Sequence, residues 1–86
     1  MKNITIYTTT WCADCFRSKA LLDRLNVKYI NIDIESDEKG MEFVMKINNG
    51  NQSVPVILFP DNTTLTEPSD EVVQSKLESL HMIPQV

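Results

Sequence analysis

Between residues 3 and 34 the hydrophobic period changes twice, and that double change restricts the chain to few folds. Ile4 and Ile6 alternate with Thr5 and Tyr7 over residues 3–8, the period of a strand. From Ala13 to Asn26, Cys15, Ser18, Leu22 and Leu25 recur at helical spacing with Leu21 beside them. Arg17, Lys19, Asp23 and Arg24 fill the other faces, and Asn26 reads as the stop. Alternation then returns from Val27 to Ile34. A strand, a helix and a strand in this order make a right-handed crossover, so the two strands should lie parallel.

The remainder extends the pattern. Ser36 is expected to cap a second helix with Asp37 and Glu38 in its first turn. Met41, Val44, Met45 and Ile47 supply its apolar side, and Asn48-Asn49-Gly50 ends it. Val54-Pro55-Val56-Ile57-Leu58-Phe59 is a continuous apolar run, as in a strand buried on both faces. Pro60-Asp61-Asn62 turns the chain, and Thr63 to Thr66 return antiparallel. Pro68-Ser69 opens a last helix with Val73, Leu77 and Leu80 facing inward, and Pro84 leaves a short tail. The order β-α-β-α-β-β-α predicts an α/β domain over residues 1–86 with a central four-stranded mixed sheet. It resembles the thioredoxin fold in its smallest form.

Size and charge exclude several functions. A chain of 86 residues has room for one core. No apolar run approaches the roughly 20 residues of a membrane helix, and Met1 to Thr5 show no stretch of signal-peptide length. The expectation is a cytoplasmic monomer without a membrane partner. Its formal net charge of −4 argues against nucleic acid, which needs a concentrated basic surface.

Trp11-Cys12-Ala13-Asp14-Cys15 falls where the first strand gives way to the first helix, and it holds both cysteines of the chain. A structural zinc site needs four ligands, and beyond this pair only the lone His81 remains, so no metal is expected. Inert burial of both thiols suits a helix start poorly. A C-x-x-C in a βαβ context points instead to a reversible dithiol. At a helix N-terminus, unpaired N–H groups and the dipole favour a thiolate, which assigns Cys12 the attack and Cys15, one turn inward beside Ala20 and Leu22, the resolution. Asp14 opposes a thiolate there while Arg17 and Lys19 support it, and the dipole is expected to prevail; Asp14 directed simply to solvent is the alternative. Trp11 at the corner is expected to shield the sulfur or meet partners.

Pro55 conflicts with ladder bonding in a central strand. A cis Val54-Pro55 bond would resolve the conflict and turn the Val54 backbone toward the thiols, where an extended thiol substrate could pair with it. His81 in the tail reads as a surface residue.

Together, the strand-WCxxC-helix opening, Ser53-Val54-Pro55 and the closing helix resemble glutaredoxins, over residues 2–80. The run from Ile47 to Pro55 and the later Leu65-Thr66-Glu67-Pro68-Ser69 look most like the mycoredoxin branch. The resemblance implies that Cys12 is the nucleophile, Cys15 the resolving thiol and Pro55 cis. It also implies reduction of mixed disulfides between client proteins and a low-molecular-weight thiol, which regenerates the enzyme without a tightly bound cofactor. By position, Val54 would bind the thiol's backbone, while Ser69 and Asp70 at the last helix N-terminus would receive its charged end. Thr9 stands where glutaredoxins usually carry a basic residue, Glu67-Pro68 replaces their Gly-Gly, and Ala13-Asp14 replaces Pro-Tyr or Gly-Tyr. The thiol itself is therefore left open. Two rival readings keep the fold: a redoxin reduced by thioredoxin reductase that serves ribonucleotide reductase, and a carrier of an iron–sulfur cluster or soft metal through Cys12.

Overall fold

A computed structural model describes residues 3–84; the first two residues and the end of the tail after Pro84 lie outside them. The elements are β1 (Ile4–Thr8), α1 (Ala13–Arg24), β2 (Tyr29–Asp33), α2 (Glu38–Ile47), β3 (Val56–Leu58), β4 (Thr64–Thr66) and α3 (Asp70–Ser79). The strands form one mixed sheet in the order β2-β1-β3-β4. β1 and β2 are parallel from Ile4 opposite Tyr29 to Thr8 opposite Asp33, as the crossover requires. β3 runs antiparallel to both β1 and β4.

Side-chain alternation divides the core between the two faces of this sheet. Ile4, Ile6 and Ile57 pack with Leu21 and Leu22 of α1 and with Val73 and Leu77 of α3. Tyr7 and Val56 point the other way, against Val44 of α2 and Ile34. The Tyr7 and Phe43 rings stack there at 4.9 Å. β3 thus buries apolar groups on both faces, which is why its sequence does not alternate.

Element ends depart from the sequence expectation for local reasons. Asp37, not Ser36, caps α2: its Oδ1 accepts the Gly40 N–H at 2.8 Å, while the Ser36 hydroxyl donates to the Asp33 carbonyl at 3.3 Å. A carboxylate is the stronger acceptor, and the helix starts one residue later to use it. β2 is shorter than residues 27–34 because the Val27 N–H closes α1 onto the Leu22 carbonyl. Asn26, left-handed at φ 57°, makes that exit, and so the helix stops where the sequence says. Ile47 sits at the end of α2 and is exposed rather than packed. Ser69 does cap α3, accepting the Val72 N–H at 3.3 Å. His81 is exposed, as expected.

α2 approaches β2 closely at Gly40, where an added Cβ would lie 2.7 Å from Cγ2 of Ile32. That methyl sits on a β-branched carbon with little rotamer freedom, so the clash cannot be relieved by a side-chain swing. Gly40→Ala should destabilise the fold by about 1–3 kcal/mol despite alanine's better helix propensity. Urea denaturation would measure it; an unchanged or raised midpoint would mean that the helix moves away without cost.

Candidate active site

β1 ends at Thr8, and four residues later the chain reaches Cys12, the N-cap of α1. Its backbone is extended (φ −90°, ψ 114°), and its side chain occupies the place that a serine or aspartate usually fills. The Cys15 N–H donates to Cys12 Sγ at 3.1 Å. Across from it, Cys12 Sγ donates to the Val54 carbonyl at 3.8 Å, a long contact suited to sulfur. Cys12 is half-buried, Cys15 is wholly buried, and both are free thiols.

The Val54-Pro55 bond is cis. The Pro55 carbonyl accepts the Glu67 N–H at 2.8 Å, which ties this segment to the turn before α3. Asn48 braces it from α2: its side-chain N–H donates to the Ser53 carbonyl at 3.0 Å, and its Oδ1 accepts the Thr66 hydroxyl at 3.0 Å. A groove of about 360 Å³ results, lined by Trp11, Cys12, Ala13, Asp14, Gln52, Ser53, Val54 and Glu67. Trp11 is 72% exposed at its rim, and its indole N–H donates to Glu35 at 3.1 Å.

Ser69 and Asp70 line a neighbouring hollow of about 420 Å³ that shares Glu67 with the groove. Arg17 spans it, donating to Asp70 Oδ1 at 2.6 Å and to the Pro68 carbonyl at 3.3 Å, with Asp14 at 3.5 Å. The guanidinium is therefore committed to two carboxylates instead of serving the thiols. Lys19 lies over the Phe16 ring at 5.2 Å. Asp14 is largely exposed and points along the rim. Ala20 is exposed too, since five residues on a helix turn it away from Cys15; Ser18 and Leu22 share the buried side. Sequence reasoning missed Gln52, Asn48 and Glu67. Asn48 stood out only as a helix stop and, with Gln52, as part of the run from Ile47 to Pro55, and Glu67 only in the replacement of Gly-Gly.

A larger depression of about 730 Å³ lies around Asp23, Asn26 and Tyr29, at the far end of α1 from the cysteines. Neither cysteine lines it. Among the described residues, no group of three or more His, Cys, Asp or Glu side chains is placed to hold a metal ion. Among the same residues, no helix is long and apolar enough to cross a membrane.

The glutaredoxin family model matches residues 4–63. The chain belongs to the glutaredoxin family. A Mycobacterium tuberculosis protein that carries the name glutaredoxin is 45% identical over 74 residues, which is 86% of this chain and 88% of that one. Mycoredoxin 1 of Corynebacterium glutamicum is 40% identical over 81 residues, 93% of this chain and 99% of that protein. The solution structure of a glutaredoxin from Brucella melitensis superposes with a TM-score of 0.70 at 23% identity, covering 95% of this chain and 87% of that one. This glutaredoxin has the thioredoxin fold, and its class of activity is thiol–disulfide oxidoreduction.

The two thiols of this glutaredoxin differ in environment. Burial, followed by the hydrogen bond with Cys12, pushes the Cys15 thiol up to about 12, against smaller opposing effects from the Thr9 backbone and Lys19. Below its ordinary value near 9 the proton stays on in both folded and unfolded chains. Between about 9 and 12 the unfolded chain releases it and the folded one does not, so stability falls as pH rises through that window. Under reducing conditions, urea denaturation of the parent should therefore decline more steeply above pH 9 than that of Cys15→Ala, by up to about 1.4 kcal/mol per pH unit. Tyr7 and Tyr29, both raised by burial, contribute equally to each protein. Parallel slopes would refute the assignment.

Proposed function

We propose that this enzyme reduces mixed disulfides between client proteins and a low-molecular-weight thiol, with Cys12 as nucleophile and Cys15 as resolving thiol. One observation carries the reading: the Cys12 sulfur faces an open groove at a helix start and accepts the Cys15 N–H, while the Cys15 thiol beneath it is fully buried. A thiolate on Cys12 keeps that hydrogen bond, and the neighbouring N-terminal N–H groups and helix dipole favour its charge.

The Cys12 thiolate attacks one sulfur of the mixed disulfide, and the client leaves as a thiolate that takes up a proton. The small thiol is then held on Cys12. Either a second small thiol displaces Cys12 and leaves as a disulfide, or Cys15 loses its proton and attacks the Cys12 sulfur, expelling the small thiol as a thiolate that takes up a proton. The second route closes a Cys12–Cys15 disulfide, which two further small thiols reduce. No tightly bound cofactor enters either route.

Val54 is the backbone docking point of the substrate in this reading, since its carbonyl already faces Cys12. Pro55 anchors that segment, and Trp11 covers the sulfur from the rim. Ser69 and Asp70 border the part of the site that meets the rest of the thiol. We read the molecule as a monomer acting in the cytoplasm.

Cys12→Ser should lower turnover by at least about a thousandfold, the scale of removing a covalent nucleophile. Cys15→Ser should accumulate the adduct on Cys12 and keep partial activity with excess small thiol. Mass spectrometry of Cys15→Ser incubated with oxidised small thiols would identify the adduct. Retained activity in Cys12→Ser, or adducts confined to another residue, would sink this assignment.

A further inference from the structure

The hollows around Cys12 carry charge that its chemistry does not require. Asp14 and Glu67 line the groove, and Glu67, Asp70 and Glu71 line its continuation. Against these four carboxylates stands one guanidinium, Arg17, already bonded to Asp70 and Asp14. The N-terminus of α3 is equally closed to an incoming anion, because Ser69 Oγ holds the Val72 N–H and Asp70 and Glu71 occupy the first turn. On the opposite rim the exposed Trp11 ring, tethered by its N–H to the Glu35 carboxylate, offers an aromatic face of the kind that attracts cations.

We propose that these residues make the Cys12 groove selective for disulfides that carry an ammonium or guanidinium group close to the sulfur, with Glu67 and Glu71 as the specificity-determining residues. The inference rests on the redox reading of Cys12 and names the substrate class of that site. Concave walls with one sign of charge focus the field on the space where a disulfide must approach. A cationic substrate is drawn in and its charge is met by Glu67 and Glu71; a carboxylate in the same place meets no free partner. Because Glu67 lines both hollows, its charge bears on the groove that Cys12 also lines. The reaction itself is unchanged: the Cys12 thiolate forms one S–S bond as the substrate's own S–S bond breaks.

Three small disulfides of similar size separate charge from shape: cystamine, hydroxyethyl disulfide and dithiodipropionate, which are cationic, neutral and anionic. Second-order rates of adduct formation on Cys12 are read in Cys15→Ser at low and high ionic strength. Cystamine should exceed dithiodipropionate by at least about tenfold at low salt, and the ratio should shrink as added salt shortens the Debye length. A thiolate alone favours the cation to some degree, so the decisive comparison is with Glu67→Gln/Glu71→Gln in the same background. There the ratio should fall by about threefold or more, a change typical of moving charges near a focused site. A peptide arm distinguishes the source of the charge: a mixed disulfide of an arginine-flanked cysteine with a neutral thiol places the cation on the client, and cystamine places it on the small thiol. An unchanged ratio in the double variant, or faster attack on dithiodipropionate, overturns the proposal. Hydroxyethyl disulfide keeps the two readings apart: if it reacts at Cys12 without charge discrimination, only the selectivity fails, and if it does not react, the redox assignment fails with it.

Discussion

One row across the sheet, Tyr7 opposite Val56 and Val56 opposite Thr66, determines where everything else can be. β1 leaves this row toward Cys12, the chain enters β3 through Val54-Pro55 at the same end, and β4 leaves from there toward Glu67 and α3. Because β3 is antiparallel to both neighbours, two chain exits and one entrance converge on a single edge of the sheet. A slip of one residue would send Tyr7 and Val56 to the opposite face and break both apolar clusters, so core burial holds the site in register. The groove at Cys12 is thus a consequence of strand direction, and no separate device is required to assemble it.

On that edge, the use of a cysteine as a helix cap links folding to reactivity. A serine or aspartate at position 12 could satisfy the same N–H, and its oxygen would be the shorter, better acceptor. Sulfur in the cap keeps the start of α1 satisfied and places a thiol where the helix field is strongest. One turn inward the same helix buries Cys15 beside Ser18 and Leu22, where the field of nearby groups matters less than the loss of water. Two identical side chains become chemically unlike through a displacement of three residues.

The crossover, the element order, the cis Val54-Pro55 bond and the positions of both cysteines were legible because each follows from a local pattern. Alternation, helical spacing, a proline in an apolar strand and a C-x-x-C at a strand-to-helix junction all act within a few residues. What could not be read depended on partners far apart in sequence. Arg17 looked like a support for the thiolate, but Asp70, 53 positions away, takes it. Asn48 looked like a helix terminator only, yet it also holds the Ser53 carbonyl and the Thr66 hydroxyl. Ser36 was the expected cap with Asp37 inside the first turn, and the hydrogen bond from the Gly40 N–H to Asp37 moves the cap by one residue.

Arg17 also explains how a rim this acidic can exist beside a thiol that the proposed mechanism requires to ionise. Exposed carboxylates are well solvated, and their effect on a neighbouring charge is weakened by water and salt. Asp14 and Asp70 are further neutralised by sharing one guanidinium, which joins the first turn of α1 to the turn before α3. The cap hydrogen bond from Cys15, by contrast, acts at 3.1 Å in a half-buried place where little solvent intervenes. Short-range stabilisation of the sulfur and longer-range repulsion from the rim therefore operate on different distances. In the proposed mechanism the first bears on whether Cys12 can act at all, and the second selects among the molecules that reach it without disabling the nucleophile.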